Sequence, residues 1–358
     1  MSGATGKNVL YIVADDYRND MAAAYGQVQV STPHLDALAG SALVFDRAYC
    51  QLARCAPSRH SFMTGRYPTQ TRVLTSSPSF RGYHPQSDAW RSMPEHFKLS
   101  GWLTLGAGKI FPSNSDYDQP RSWSQERPYF PYTMQRCPGI SDLRKLPQIV
   151  EPTGTWCALP GQLTQFIDHN LTVAALNVLD TVALRSQRGE RQQPFFVMVG
   201  FIRPHGPWMV PAHAYRAASA VYDAASAPIA SARGSAFPLN APIVAAHSAS
   251  LYPPPTRFNE SGAGELPSGP GAAFKVDSDP LVPLDARLQR DVRRAYYASV
   301  HWMDEQVCTY SAWSNASAPH PMWRNHMPSS WDARVGGAIV GPPRHPWLYQ
   351  RDDCGCAR

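Results

Sequence analysis

Two short stretches carry side chains whose types and spacing suit chemistry. In "LARCAPSRHSF", Cys55 stands between Arg54 and Arg59, just ahead of residues that read as a helix. Backbone N–H groups and the dipole at a helix start stabilise an anion, so the position favours a thiolate or a bound oxyanion. A small buried hydrophobe before a proline-started helix is the other reading of a lone cysteine. In "NVLYIVADD", Asp15 and Asp16 close a continuous apolar run. Adjacent carboxylates at the end of a buried strand need a cation or water, so the pair is either a cation site or a solvated turn.

The elements that position these residues follow from patterning. Asn8 to Ala14 has the look of a strand buried in a parallel sheet, and the carboxyl ends of such strands are where α/β sheets place chemistry. "STPHLDALAGSA" predicts a short helix with Thr32 as N-cap and Pro33 at its first position. "LVFDRAY", Leu43 to Tyr49, predicts the next strand. "PSRHSFMTG" predicts a helix with Pro57 at its start and Gly65 just past its end. Further helices are expected at "MPEHFKLSG", Gln165 to Ser186 and Leu284 to Val307, and strands at "WLTLGAGKI" and Pro194 to Phe201, with "RPHGPW" as the loop after the last. The alternation predicts an α/β fold: a mostly parallel central sheet flanked by helices on both faces.

Composition narrows the partners. The 358 residues hold 33 Lys plus Arg against 27 Asp plus Glu, a net charge of +6, with the basic residues dispersed rather than in runs. That suits an anionic substrate better than nucleic acid. No apolar run is long enough to span a membrane. The 34 prolines predict long, ordered, irregular loops. Seven cysteines show no metal-knuckle spacing; Cys137 and Cys157 flank a Pro- and Gly-containing loop and are candidates for a bridge. Sequons at Asn170, Asn259 and Asn315 point to the secretory route, lysosomal or extracellular. The opening "MSGATGKNVLYIVADD" enters a strand almost at once, so either a leader was removed or the protein is intracellular.

Cys55-Ala-Pro-Ser-Arg59 matches the signature Cys-X-Pro-Ser-Arg. With "NVLYIVADDYRND", "GAGKIF", "PFFVMVGFIRPHGPW" and "RRAYYASVHWMDEQV" in this order, the chain resembles the type I sulfatases of the alkaline phosphatase superfamily, most closely the iduronate-2-sulfatase branch. The resemblance covers roughly residues 8 to 307. It implies that Cys55 is a precursor, oxidised by a formylglycine-generating enzyme to Cα-formylglycine, whose aldehyde hydrates to a geminal diol. One hydroxyl attacks sulfur and expels the alcohol; the other then collapses to the aldehyde and ejects sulfate. Asp15, Asp16 and the oxygen at position 55 are implied as ligands of one Ca²⁺ ion. Arg59 is implied to support the formylglycine, and Lys109 and His205 to bind sulfate, the histidine protonating the leaving alkoxide. The implied substrate is a sulfated sugar or polysaccharide, as in glycosaminoglycans.

Composition and periodicity, taken with the resemblance, suggest a domain plan: 211–283 is rich in Ala, Ser and Pro, and 308–358 shows no period. Residues 1–307 form an incomplete catalytic domain with a loop-rich excursion at 211–283, holding one helix near Ala212 to Ala220. Residues 308–358 form an irregular tail. The family pattern calls for a strand with Asp-His-Gly or Asn-His-Gly and a second active-site lysine after the helix; the tail has neither motif, Asn325 stands where the lysine would be, and the last lysine is Lys275. Pro112 replaces a histidine of the branch. A deletion, mis-splicing or frame shift is the expected origin. A metal held only by Asp15, Asp16 and position 55 is expected to bind weakly. Rival readings are a formylglycine-dependent phosphonate or phosphate-ester hydrolase, a catalytically dead sulfatase product that binds a sulfated glycan, and a cysteine hydrolase pairing Cys55 with His60 or His205.

Overall fold

Phe195–Pro204 is buried along its whole length, and the sheet is built around it. The structure is a computed structural model that describes residues 8–18, 21–26, 29–45, 47–74, 79–112, 117–124, 129–135, 137, 156–187, 193–221, 286–314 and 339–340. In chain order the elements are β1 (Val9–Asp15), α1 (Pro33–Ala39), β2 (Val44–Phe45), α2 (Cys55–Thr64), α3 (Pro68–Thr71), α4 (Met93–Leu99), β3 (Leu103–Gly108), β4 (Trp156–Leu159), α5 (Ile167–Gln187), β5 (Phe195–Pro204), β6 (Trp208–Pro211), α6 (Ala212–Val221), α7 (Ala286–Ser314) and β7 (Ile339–Val340).

β5 lies between β1 and β3 and runs parallel to both. Its side chains alternate between two cores, as the two-residue strand period requires. Phe196 and Met198 pack with Ala56 and Met63 of α2 and with Phe97 of α4. Val197, Val199 and Phe201 pack with Ala175, Leu176 and Leu179 of α5 and with Met303, Val307 and Tyr310 of α7. Covering helices on both faces explain why the strand is a continuous apolar run. The α/β class with a mostly parallel, helix-flanked sheet is therefore the observed one. Two smaller parallel pairs, β4 with β6 and β2 with β7, complete the described strands. Among the described residues no helix is long and apolar enough to cross a membrane.

Several expectations change. The strand expected at Leu43 to Tyr49 shrinks to Val44–Phe45; Leu43 and Tyr49 are 70% and 78% exposed, so that run has no core face to bury. α2 begins at Cys55, not Pro57, because proline in a first helical turn removes only an N–H that has no intrahelical partner anyway. α7 runs past Val307 to Ser314, since buried Tyr310 prolongs the Met303–Val307 stripe. "RPHGPW" is only partly loop: Arg203 and Pro204 belong to β5, and Trp208 opens β6. β4 has no counterpart among the strands expected from patterning; four buried residues are too few to show a period.

Thr32 makes no capping bond at α1. The buried Asp304 carboxylate of α7 takes the N–H groups of Leu35 at 2.8 Å and His34 at 3.1 Å instead. The expected helix near Ala212 is α6. The remainder of the 211–283 excursion, the sequons at Asn259 and Asn315, Lys275, Asn325 and most of the 308–358 tail lie outside the described residues. Cys137 and Cys157 are bridged, with 5.8 Å between their Cα atoms. Asn170 sits within α5, its side-chain amide donating to Thr164 O at 3.0 Å.

Candidate active site

Asp15 ends β1 at a shift in register: Ala14 pairs with Phe201, but Asp15 pairs with Pro204. Asp16 then adopts φ 58°, a left-handed conformation uncommon for a residue with a side chain. Successive strand residues ordinarily point to opposite faces; the bulge and this turn instead bring both carboxylates to one place. Tyr296 of α7 holds the turn. Its hydroxyl donates to Asp16 O at 2.9 Å and accepts from Arg18 N at 3.0 Å.

Cys55 and Arg59 are one helical turn apart and share a face of α2. Arg59 is buried, with Nη2 donating to Asp15 Oδ1 at 2.7 Å and Nη1 donating to Ile110 O at 3.1 Å and to Lys109 O. A guanidinium is suited to this because its planar fork serves several acceptors at once. Lys109 follows Gly108, which turns the chain at φ 79°. Lys109 N donates to Gly200 O at 2.7 Å, an approach open only because residue 200 has no Cβ; one placed there would lie 2.2 Å from Lys109 O. The Lys109 ammonium forms an ion pair with Asp15 Oδ2.

His205 hangs on the link between β5 and β6. Buried Arg203 braces that link, donating from Nη1 to His205 O at 2.8 Å and from Nε to Met209 O at 3.1 Å. Buried Asp168 of α5 accepts from Ile202 N at 2.7 Å just before it. His205 Nδ1 lies 2.5 Å from Gly206 O. A carbonyl only accepts, so Nδ1 carries the proton and Nε2 of the neutral ring presents a lone pair. That Nε2 faces Asp15 Oδ2 at 3.8 Å and Asp16 Oδ2 at 3.7 Å.

The electrostatics centre on Asp15. Burial pushes its carboxyl up, but Arg59, Lys109 and His205 together outweigh burial and hold it at about 2. Burial and the neighbouring Asp15 charge raise Asp16. Burial and Lys109 lower His205 against the opposing pull of Asp15 and Asp16. Cys55 departs from the expected stabilised thiolate: burial and then Asp15 push its thiol up despite the helix start and Arg59. As an unmodified thiol it is not poised for attack.

All six residues singled out from the sequence thus come together. Ligand atoms of Asp15, Asp16, Cys55 and His205 all lie within 4.8 Å of one another, the one such cluster among the described residues. His205 joins the three expected metal ligands, a placement the sequence reading had not given it. Tyr296, Arg203 and Asp168 were missed altogether; an arginine directly before the "PH" of a buried strand end was the one local hint.

A sequence profile of the family described as Sulfatase matches residues 7–309. Iduronate 2-sulfatase of Mus musculus is 30% identical over 315 residues, covering 86% of this chain and 51% of the relative. N-acetylgalactosamine-6-O-sulfatase of Bacteroides thetaiotaomicron is 46% identical over 102 residues, covering 28% of this chain and 20% of the relative. Among solved structures, a phosphonate monoester hydrolase from Silicibacter pomeroyi aligns with a TM-score of 0.49 at 21% identity, covering 84% of this chain and 58% of that one. The chain spans about half the length of its iduronate 2-sulfatase relatives. From the profile match across most of its length, the chain belongs to the sulfatase family.

Proposed function

We propose that this protein hydrolyses a sulfate ester of a sulfated sugar or glycan, using Cα-formylglycine made from Cys55 by a formylglycine-generating enzyme. The observation that carries it is the convergence of Cys55, two carboxylates and His205 within 4.8 Å, beside Arg59 and Lys109 on the same Asp15. Similarity to sulfatases named for sugar substrates supports the substrate class. The disulfide supports an oxidising, secretory compartment.

The donor set fits one hard dication such as Ca²⁺. Buried Asp15 contributes Oδ2, which faces the Lys109 ammonium and His205 Nε2, and Asp16 adds a second carboxylate oxygen. Conversion of Cys55 replaces the one soft donor with oxygen, the ligand type that Ca²⁺ takes. Asp15, Asp16 and position 55 would hold the ion, with His205 alongside; it supplies positive charge that offsets the anionic substrate and nucleophile. The hydrated aldehyde at position 55 supplies an oxygen nucleophile with its own release route.

The other roles fall to residues of the chain. Arg59 fixes position 55 relative to Asp15 across one helical turn. Lys109 is a point charge for a sulfate oxygen, free to exchange its partner Asp15 Oδ2 for substrate. His205 Nε2, beside both carboxylates, is the ring nitrogen left open by the Nδ1–Gly206 O contact; once protonated there, the ring gives that proton to the departing alkoxide oxygen. The test is sulfate release from an aryl sulfate by chain co-produced with the modifying enzyme and supplied with Ca²⁺, beside Cys55→Ala. Turnover lost in the variant is expected. Turnover retained in Cys55→Ala, or none despite formylglycine at position 55 by peptide mass spectrometry, would overturn it; faster cleavage of an aryl phosphonate would shift the reaction class.

A further inference from the structure

Lys109 stands just past the end of β3, on a turn, yet its ammonium reaches a buried carboxylate. A lysine side chain has four rotatable bonds, so the backbone beneath it must be fixed for the charge to be placed. One side chain brackets that backbone. The Tyr129 hydroxyl donates to Gly108 O and accepts from Ile110 N at 3.1 Å, the residues on either side of Lys109. Ile110 N also reaches Gly108 O at 2.9 Å, so the hydroxyl closes a ring of contacts around the turn.

The ring is itself held. Tyr129 is 4% exposed, stacks on Tyr117 with centroids 4.2 Å apart and planes 12° apart, and meets Trp123 at 5.4 Å. Gly106 makes room for it: a Cβ there would come within 2.7 Å of the Tyr129 ring. The next residue docks along β3, with Phe130 N donating to Gly106 O at 3.1 Å and accepting through its carbonyl from Gly108 N at 2.9 Å. The same turn offers Lys109 O and Ile110 O to Arg59.

We infer that Tyr129 is a positioning residue for oxyanion binding, acting through Lys109 by clamping the turn from both sides. The inference rests on the reading that Lys109 binds sulfate. Its substrate-side effect is separable from general stability because the phenyl ring, not the hydroxyl, does the packing.

The test is binding of inorganic sulfate, by calorimetry with Ca²⁺ present, to chain carrying formylglycine at position 55; sulfate is the product of the proposed reaction, so no ester remains to be turned over. Tyr129→Phe is expected to weaken binding about tenfold, equivalent to about 1.4 kcal/mol. Lys109→Ala is expected to weaken it at least as much, and the double variant no further, since two residues acting through one contact are not additive. Equal weakening by Tyr129→Phe in both lysine backgrounds would overturn the inference, as would unchanged affinity where Lys109→Ala is damaging. No effect of Lys109→Ala would instead overturn the sulfate role of Lys109 itself. A chain with p-aminophenylalanine at 129 keeps the ring and supplies a donor for Gly108 O; affinity near that of Tyr129 is expected, and a phenylalanine-like loss would count against the clamp.

Discussion

Asp15 Oδ1 and Arg59 Nη2 lie 2.7 Å apart, in an ion pair whose side chains are only 5% and 4% exposed. Removing one partner of a buried pair costs more than an exposed pair contributes, because the remaining charge and its acceptors are left without compensation. Arg59→Gln is therefore expected to lower unfolding free energy by about 3 kcal/mol. Arg121→Gln, which opens a pair with Glu95 that is 38% exposed on the arginine side, is expected to cost about 1 kcal/mol or less. Urea denaturation of both variants checks this, and equal losses would contradict it.

A second expectation concerns pH. His213 of α6 and His301 of α7 both face Glu305, with Nε2 atoms at 2.9 and 3.4 Å from its oxygens. His34 and Asp36 of α1 and Asp304 of α7 surround them electrostatically. Burial opposes ionisation of Glu305, but bonds from His213 and His301 hold it at about 2 against an ordinary 4.5. A depressed acid contributes stability above its unfolded value and loses it as pH falls toward the folded one. Against burial, Glu305 and Ser31 O raise His301 above 6.5, and burial raises Asp304 to about 7. Both raised groups contribute below their unfolded values and lose that contribution as pH rises through the folded ones. Glu305 adds stability as pH rises to 4.5, whereas Asp304 gives it up from 3.8 to about 7 and His301 above 6.5, so the thermal midpoint should peak between pH 3.8 and 4.5 and fall toward pH 7, and Glu305→Gln should remove the rise below the peak. A midpoint still climbing from pH 6.5 to 8 in scanning fluorimetry would refute the assignment.

The Cys137–Cys157 bridge closes a loop with a sequence separation of 20. Loop-closure entropy at that length amounts to about 3 kcal/mol. Cys157→Ala should lower the midpoint accordingly and abolish its sensitivity to reductant. A reductant-dependent midpoint persisting in that variant would point to another cause.

Gly200→Ala should be among the most damaging single changes. Its Cβ would meet Lys109 O at 2.2 Å, and the opposing atoms are backbone that cannot rotate away. A loss of more than about 3 kcal/mol is expected, with sulfate release lost even where folded chain is recovered. Full activity would show that β3 and β5 can separate without moving Lys109.

Asp16→Asn keeps the shape of the side chain and removes one charged oxygen from the proposed calcium site. Calcium affinity by titration calorimetry should fall at least tenfold, and a chelator should abolish sulfate release from the unaltered protein. Unchanged affinity would remove Asp16 from the ion's ligands.

Much of this fold was legible because buried parallel strands such as β5 read as unbroken apolar runs, and because Pro33, Gly65 and Gly101 punctuate helices in the usual places. The residues that cluster around Asp15 were legible for a different reason: Cys55 and Arg59 belong to one local signature, and the others sit at strand ends. Tyr129, Tyr296, Arg203 and Asp304 were not legible. Each acts through bonds to backbone that local periodicity does not encode, in the case of Tyr296 across 280 residues. Of the readings open for Cys55, the stabilised thiolate is the one that its surroundings oppose. Its helix start and arginines are local and favour charge, whereas Asp15, which opposes it, arrives through tertiary packing.

The place of β5 in the middle of its sheet has a consequence in time. β1 is made first, but the strand beside it begins about 187 residues later, the interval that separates Asn8 from its partner Phe195. At 5–20 residues per second the ribosome needs on the order of ten to forty seconds to cover that interval. For that period the apolar edge of β1, joined partway through by that of β3, waits without the strand that pairs them, open to mispairing until the central strand emerges.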